Sequence, residues 1–254
     1  MSRRPIFCGN WKCKLETLEA ARKFVEEFNE DLDDGALAKV DVVFFPSALH
    51  AMEMKRLFKS GVATGLQNLS AACSGEGFTG ELTAAMALDV GCEWALVGHS
   101  DRRHRSIESL EDAALKVERA QEAGLGVVFC IGELLEEREA GRTVEVCQQQ
   151  LGQVLPKVRN WQKFAVVYEP IWAMGTGVAA TREQAQEAHH AVREIVRETS
   201  GAEAAEALRI LYGGAVNVRS CEGFVSQPDI DGFLGLAARP TDVANMISGM
   251  ANSV

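Results

Sequence analysis

The chain has 254 residues, with 26 Lys and Arg against 36 Asp and Glu, so its formal net charge is −10. Hydrophobic residues make up 47% of the sequence and charged residues 24%, which excludes an intrinsically disordered protein. The acidic excess argues against a general binder of nucleic acid or of membrane surfaces, because both targets are polyanionic, but it allows one local anion site.

Eight short β-rich runs recur along the chain, each bounded by Gly, Pro, Asn or a charged residue. Most of them are continuously apolar, which is typical of parallel strands that are buried on both faces. The predicted strands are Ile6–Gly9, Val40–Phe45, Val62–Leu66, Trp94–Gly98, Gly126–Ile131, Phe164–Tyr168, Leu208–Tyr212 and Gly232–Leu234.

The segments between these runs have helical periodicity. Apolar residues at three- and four-residue spacing predict helices around Leu18–Leu32 and Leu110–Gln121. Thr181-Arg-Glu-Gln184 is a capping-box pattern, and Pro240 is a start signal for the last helix. Strands that alternate with helices imply a parallel sheet, so we predict an α/β protein, a single (β/α)8 barrel domain over residues 1–254. An open doubly wound sheet is the alternative, which periodicity does not exclude.

The cysteines and histidines give no pattern of a disulfide framework or a metal site. The seven cysteines include no CxxC pair, and the five histidines include no HxxxH pair. Reduced thiols in a cytoplasmic protein fit this pattern. The basic start, Met1–Arg4, is followed by only three apolar residues before Gly9-Asn10, so we expect no signal peptide. No apolar stretch reaches the ~18 residues that a membrane span needs.

Both candidate folds place active groups just after the carboxyl ends of the strands. Asn10 and Lys12 follow the first predicted strand, His99 follows the fourth and Glu169 the sixth. Glu169 is a candidate general base, and His99 and Lys12 are candidate stabilisers of an oxyanion. Small-residue turns follow the sixth, seventh and eighth strands and can bring backbone N–H groups close to a phosphate. The set predicts proton transfer on a small anionic molecule.

Each of these residues has an ordinary structural alternative. Lysine is usually a solvated surface residue, a glutamate before proline is usually in an exposed turn, and His99 alone would be a loop histidine. Their shared position at strand ends is the stronger signal. The stretch Gly175–Ala180 fits a loose dinucleotide-binding pattern, but six residues separate it from the preceding strand, which favours a moving lid instead.

Motifs along almost the whole chain resemble those of the triosephosphate isomerase family. They are Gly9-Asn-Trp-Lys12, Gly75-Glu-Gly-Phe-Thr-Gly-Glu81, Val97-Gly-His-Ser-Asp-Arg-Arg103, Cys130-Ile-Gly-Glu133, Tyr168-Glu-Pro-Ile-Trp-Ala-Met-Gly-Thr-Gly177, Tyr212-Gly-Gly214 and Asp231-Gly-Phe-Leu234. The resemblance implies a (β/α)8 barrel, a homodimer without metal or organic cofactor, and interconversion of dihydroxyacetone phosphate and D-glyceraldehyde 3-phosphate.

By this likeness Glu169 is the base that moves a proton between C1 and C2, and His99 polarises the carbonyl. Lys12 supplies positive charge for the phosphate and the enediolate, and Asn10 orients the substrate. The resemblance also assigns phosphate-binding residues, supporting residues and interface residues. The phosphate-binding residues are Gly175, Ala215, Gly235 and Leu236. The supporting residues are Ser100, Asp101, Glu133, Tyr168 and Tyr212. The interface residues are Cys13, Thr79, Glu81 and Arg102.

The resemblance further implies three features of the loops. The loop Gly75–Glu81 docks into a second subunit, with Thr79 near the catalytic lysine there. Glu133 contacts Arg102 near the rim, and Pro170–Ala180 closes over the substrate. Packing of these loops within one chain is the alternative that the sequence leaves open.

Three departures from the family pattern bear on the site. Asp101 stands where the family has Glu, so the charge is kept and the reach is shorter. Ala215 stands where the family has Ser, and the lost hydroxyl weakens the closed state by about 0.5–1.5 kcal/mol. The family has Val-Gly-Gly-Ala where this chain has Gly235-Leu-Ala-Ala238. We align Gly235 and Leu236 with the two glycines, with a shift of one residue as the alternative.

A leucine at this turn predicts weaker phosphate binding with the proton-transfer groups intact, because its side chain crowds the approach or resists a positive φ. Two other functions stay open. One is a different phosphate-binding barrel enzyme, which would need a further catalytic group at a strand end. The other is a barrel that has lost activity through this altered loop.

Overall fold

The computed structural model of the protein describes residues 3–72, 75–173, 180–237 and 239–253. Parallel strands β1 to β8 form a closed barrel in sequence order. Their bounds are Ile6–Asn10, Asp41–Phe45, Val62–Leu66, Trp94–Val97, Gly126–Ile131, Phe164–Tyr168, Arg209–Tyr212 and Gly232–Leu236. The barrel closes through β1 and β8, which pair from Ile6↔Gly232 to Asn10↔Leu236. This confirms the predicted (β/α)8 barrel, and the open doubly wound alternative is wrong.

Helices surround the barrel in the described part of the chain. The α-helices α1 to α12 are Leu18–Asp31, Asp34–Lys39, Ala51–Leu57, Ala84–Asp89, Ser100–Arg105, Leu110–Ala123, Leu135–Glu139, Thr143–Gly152, Arg182–Ser200, Ala202–Ala207, Cys221–Val225 and Pro240–Asn252. Short 3-10 turns lie at Leu155–Lys157, Trp161–Lys163 and Ile171–Ala173. Within these described ranges, no helix has the length and apolar character that crossing a lipid bilayer requires.

The local signals in the sequence agree with the element ends. The Thr181 side chain accepts from the Gln184 N–H, and the Gln184 side chain accepts from the Thr181 N–H, as the capping-box pattern predicts. Pro240 begins α12. The predicted strands end within one residue of the observed ones except at β8. That strand runs two residues further, because its pairing with β1 continues to Leu236.

Two apolar layers explain why the strands are continuously hydrophobic. Side chains on one face of each strand fill the barrel interior, where Ile6 and Cys8 of β1 pack near Leu234 of β8. Side chains on the other face pack against the helices; there the Phe44 ring stacks on Phe58 with 4.6 Å between centroids. Burial on both faces leaves the open ends of the barrel as the place where polar side chains can collect.

Candidate active site

One cavity of about 790 Å³ opens at the carboxyl ends of the strands. Asn10, Lys12, His99 and Glu169 all line it, although they come from three distant parts of the sequence. Residues after β7 and at the end of β8 also line the cavity: Gly213, Gly214, Ala215, Val216, Gly235 and Leu236. The convergence that strand-end position predicts is therefore present in the fold.

The Glu169 carboxylate is almost fully buried, with 1% of its surface exposed. One oxygen, Oε2, accepts from the backbone N–H of Ser100 at 3.0 Å. The other, Oε1, lies 3.1 Å from Nε2 of His99. Ser100 thus holds the carboxylate through its backbone, while its side chain is not part of this contact.

The backbone of Glu169 is held tightly against β5. The Glu169 N–H donates to the carbonyl of Ile131 at 2.7 Å. A Cβ at Gly132 would lie 1.8 Å from the Glu169 carbonyl oxygen, so only glycine fits at this position. This close approach sets the depth of Glu169 in the barrel. The sequence gives no signal for it beyond a glycine after a strand.

His99 precedes α5, and its ring accepts a hydrogen bond from the start of that helix. The backbone N–H of Asp101 donates to Nδ1 of His99 at 3.0 Å. Because a backbone amide only donates, Nδ1 carries no proton, and the proton of a neutral imidazole sits on Nε2. Burial lowers the pKa of His99, which Glu169 opposes and Lys12 reinforces. The ring is therefore a neutral donor directed at the Glu169 carboxylate.

Lys12 and Asp101 form an ion pair at the cavity edge. Lys12 Nζ lies 2.8 Å from Asp101 Oδ2, so the shorter side chain at position 101 still reaches the lysine. Burial raises the pKa of Asp101, but the hydrogen bond and charge of Lys12 outweigh it, and the net pKa is lowered. Lys12 has a positive φ of 49°, which is strained for a residue with a side chain. Its N–H donates to Asn10 Oδ1 at 2.9 Å, which supports this conformation.

Glu133 is a fully buried carboxylate beside the cavity, with 0% exposure. Its Oε1 accepts from the Tyr168 hydroxyl at 2.8 Å and from the Trp172 indole N–H at 3.1 Å. The Arg138 guanidinium lies 3.5 Å from the same oxygen and 5.2 Å from the centroid of the Trp172 ring. Glu133 thus ties β6 to the segment that follows Glu169. Sequence reasoning missed Trp172 and Arg138, because neither residue stands out before the burial of Glu133 is known.

The expected contact between Glu133 and Arg102 is wrong. Arg102 Nε donates to Glu108 Oε2 at 2.7 Å instead. Arg102 lies in α5, which begins directly after His99 and carries the arginine away from Glu133.

The glycine turn after β7 is needed for packing. A Cβ at Gly214 would lie 2.2 Å from the Tyr212 hydroxyl. That hydroxyl is buried without a hydrogen-bond partner among the described residues, and burial raises the pKa of Tyr212 to about 12. Ala215 is exposed at the cavity edge.

Leu236 is part of a regular strand, not of a turn. It pairs with Asn10, and neither Gly235 nor Leu236 has a positive φ. The expectation that Leu236 resists a left-handed backbone is therefore wrong, because β8 stays extended through it. Its side chain is 48% exposed and lines the cavity, and crowding of a phosphate there stays a prediction. The structure does not describe residues 174–179 of the expected closing loop, which include Gly175. Ala238 also lies outside the described residues.

A second cavity, of about 530 Å³, lies next to the first and shares Lys12 with it. Three of the four predicted interface residues line it, namely Cys13, Glu81 and Arg102. The fourth, Thr79, is exposed in the adjacent loop. In the described part of the chain, no cluster of three or more His, Cys, Asp or Glu side chains is arranged as a metal site.

Comparison with known proteins identifies the family. The sequence model of triosephosphate isomerase matches residues 5–250. The chain is 44% identical over 237 residues to the cytosolic triosephosphate isomerase of Gracilaria gracilis, covering 91% of this chain and 94% of that protein. It is 38% identical to the chloroplastic triosephosphate isomerase of Secale cereale, covering 96% and 81%. It is 39% identical to the triosephosphate isomerase of Zygosaccharomyces bailii, covering 96% and 99%. The chain belongs to the triosephosphate isomerase family.

Proposed function

We propose that the protein interconverts dihydroxyacetone phosphate and D-glyceraldehyde 3-phosphate by proton transfer through an enediolate. The observation that carries this proposal is the meeting of Glu169 and His99 at 3.1 Å within one cavity. A carboxylate and a neutral imidazole so close together can act on adjacent atoms of one substrate, the carboxylate on carbon and the imidazole on oxygen.

In the proposed first step, Glu169 takes one of the two C1 protons of dihydroxyacetone phosphate. The electrons of the broken C–H bond form a C1–C2 double bond, and the carbonyl π electrons move to the C2 oxygen. The Nε2–H of His99 donates to that oxygen. The protonated Glu169 then returns the proton to C2, while a proton passes from the C1 oxygen to the C2 oxygen through His99. To reach the substrate, the carboxylate exchanges its hydrogen bond with the Ser100 N–H for the substrate C–H.

The protonation state of His99 supports this role. The Asp101 N–H at Nδ1 and the lowered pKa both favour the neutral ring. The neutral ring gives its Nε2 proton to one substrate oxygen, becomes an imidazolate, and regains its neutral state by taking a proton from the other oxygen. Triosephosphate isomerase is itself the standard example of a glutamate base beside a histidine kept neutral by a helix N-terminus.

Lys12 provides positive charge at the cavity edge. Its pairing with Asp101 keeps it ordered, and a dianionic substrate can compete with that carboxylate for the ammonium group. The same pairing gives no support to an enzyme that forms a Schiff base, because that chemistry needs an unprotonated lysine amine.

A homodimer is part of the proposal. The second cavity would receive the Gly75–Glu81 loop of a second copy, with Thr79 close to Lys12 there. Large apolar side chains are exposed around this region, including Leu49 at 92%, Phe78 at 67% and Ile107 at 88%, and burying them would favour association. We also propose a cytoplasmic location. The free cysteines and the similarity to the cytosolic enzyme of Gracilaria gracilis support it.

The test is an assay of both directions of the reaction in heavy water. The proposal expects isomerisation of both triose phosphates and incorporation of solvent deuterium at the carbon next to the carbonyl, since an enediolate exchanges its proton. Phosphate binding without turnover would indicate a barrel that has lost activity. Turnover only with a second co-substrate would indicate a different phosphate-binding enzyme. Light scattering of the purified chain tests the homodimer.

A further inference from the structure

The last strand brings an apolar side chain to the mouth of the barrel. In β8, Leu234 belongs to the cluster that fills the barrel interior. Side chains two residues apart in a strand share a face, so Leu236 points to the same side at the rim. It stands beside its pairing partner Asn10 and lines the cavity that contains the proposed base. Part of the wall that could offer polar groups to a phosphate is thus hydrophobic.

The backbone N–H that follows Leu236 is already used within the barrel. The N–H of Ala237 is directed at the Asn10 carbonyl, at 3.4 Å, and is used in closing the barrel. Ala237 itself is fully buried. Only three residues separate β8 from α12, so the connection on this side of the cavity is short.

An exposed arginine stands directly after this segment. Arg239 lines the same cavity as Lys12 and Leu236. Its side chain is 81% exposed, and Asp242 is 4.0 Å away, at the limit of ion pairing. Lys12 is paired with Asp101 at 2.8 Å, so a substrate has to compete with that carboxylate for its charge. The guanidinium of Arg239 is therefore a weakly held charge on this wall, and it can turn toward an anion in the cavity.

The negative net charge of the protein makes a weakly held positive group near the cavity important for binding an anion. A chain with a net charge of −10 repels a dianion at long range, and capture depends on local positive groups. Guanidinium binds phosphate through two parallel hydrogen bonds, a geometry that a lysine does not provide.

We propose that Arg239 binds the substrate phosphate directly, on the cavity wall where Leu236 presents an apolar side chain. This inference rests on the proposed function for its substrate and deepens it by naming a specificity-determining residue. Arg239 takes no part in the proton transfer, since Glu169 and His99 carry that step.

The experiment measures inhibition by inorganic phosphate, together with KM and kcat, for Arg239→Gln, Arg239→Lys and Arg56→Gln. Arg56 is an exposed residue of α3 outside the cavity wall, so its replacement controls for the change in net charge. For Arg239→Gln we expect the inhibition constant and KM to rise about tenfold, with kcat changed less than about threefold. Arg239→Lys keeps the charge but loses the two-pronged contact, so its values should be intermediate.

Thermal unfolding of each variant checks that the exposed replacement leaves the fold intact. Equal values for Arg239→Gln and Arg56→Gln would overturn the inference. Wild-type protein that binds phosphate through Arg239 but does not isomerise triose phosphates would overturn the proposed function and support the phosphate contact.

Discussion

Gly132 and Glu169 are so close that no side chain fits between them. A Cβ on Gly132 would lie 1.8 Å from the Glu169 carbonyl oxygen and 2.8 Å from its carbonyl carbon. The position of the proposed base therefore depends on a residue that has no side chain of its own.

We expect Gly132→Ala to move Glu169 and to lower the turnover about 100-fold, the usual effect of a displacement near 1 Å. The overpacking should also lower the free energy of unfolding by about 1–3 kcal/mol. Steady-state kinetics and urea unfolding measure the two effects. Gly152→Ala is the matched control, because a Cβ there meets no atom within 4 Å. Normal kinetics in Gly132→Ala would contradict this prediction, because they would show that β5 and β6 can move apart without displacing Glu169.

Glu169→Gln should lower kcat by about 10²–10⁴, the usual contribution of a positioned general base. The amide oxygen of Gln can still accept from the Ser100 N–H, so the fold and the affinity for phosphate should change little. Rates come from a coupled isomerisation assay, and phosphate affinity comes from calorimetry on the same preparation. A near-normal rate would remove Glu169 from the proposed role.

Leu236→Gly should tighten the binding of inorganic phosphate and lower KM by several-fold, because it removes the apolar side chain from the cavity wall. The loss of a β-forming residue from the end of β8 should lower the free energy of unfolding by about 1 kcal/mol. Leu57→Gly is a useful comparison, since Leu57 is an exposed leucine outside the cavity. Unchanged phosphate affinity in Leu236→Gly would mean that the leucine does not crowd the phosphate.

His189 should make stability depend on pH. Burial lowers the pKa of His189 to about 4, and its ring lies 5.7 Å from the Tyr168 centroid and 6.2 Å from the Tyr212 centroid. An unfolded chain binds a proton at this histidine below about pH 6.5, whereas the folded chain does so only near pH 4. The free energy of unfolding should therefore fall by roughly 3 kcal/mol from this group as the pH drops through that window.

Urea unfolding at several pH values tests this prediction. The decline between pH 6.5 and pH 4 should be smaller in His189→Gln, which does not titrate. His190→Gln is the control on the neighbouring residue, whose side chain is 63% exposed. The same slope in wild type and in His189→Gln would assign the acid sensitivity to other groups.

Much of the fold could be predicted from the sequence because barrel strands are buried on both faces. Runs such as Phe164–Tyr168 are short and continuously apolar, which is typical of a strand buried on both faces. The ends of these runs mark where the chain leaves the core. Placing His99 and Glu169 at one rim needed only the rule that parallel strands share a direction. The capping box at Thr181 is a local signal and appears where the sequence indicates it.

The features that could not be predicted depend on distances between distant segments. The neutral state of His99 follows from one amide N–H that points at Nδ1, and sequence does not give that direction. The length of β8 follows from its register with β1, whose Asn10 provides a partner for Leu236. The partners of Glu133 depend on how the segment after β6 packs, so likeness to a family led to the wrong arginine.

Closure of the barrel through β1 and β8 also determines when the protein can begin to work. Asn10 and Lys12 are synthesised more than 200 residues before their neighbours on one side, which arrive only with residues 232–236. Until then both β1 and β7 present unpaired edges, which invite association with other chains. During synthesis, the site is therefore completed in a single step, when β8 pairs with β1.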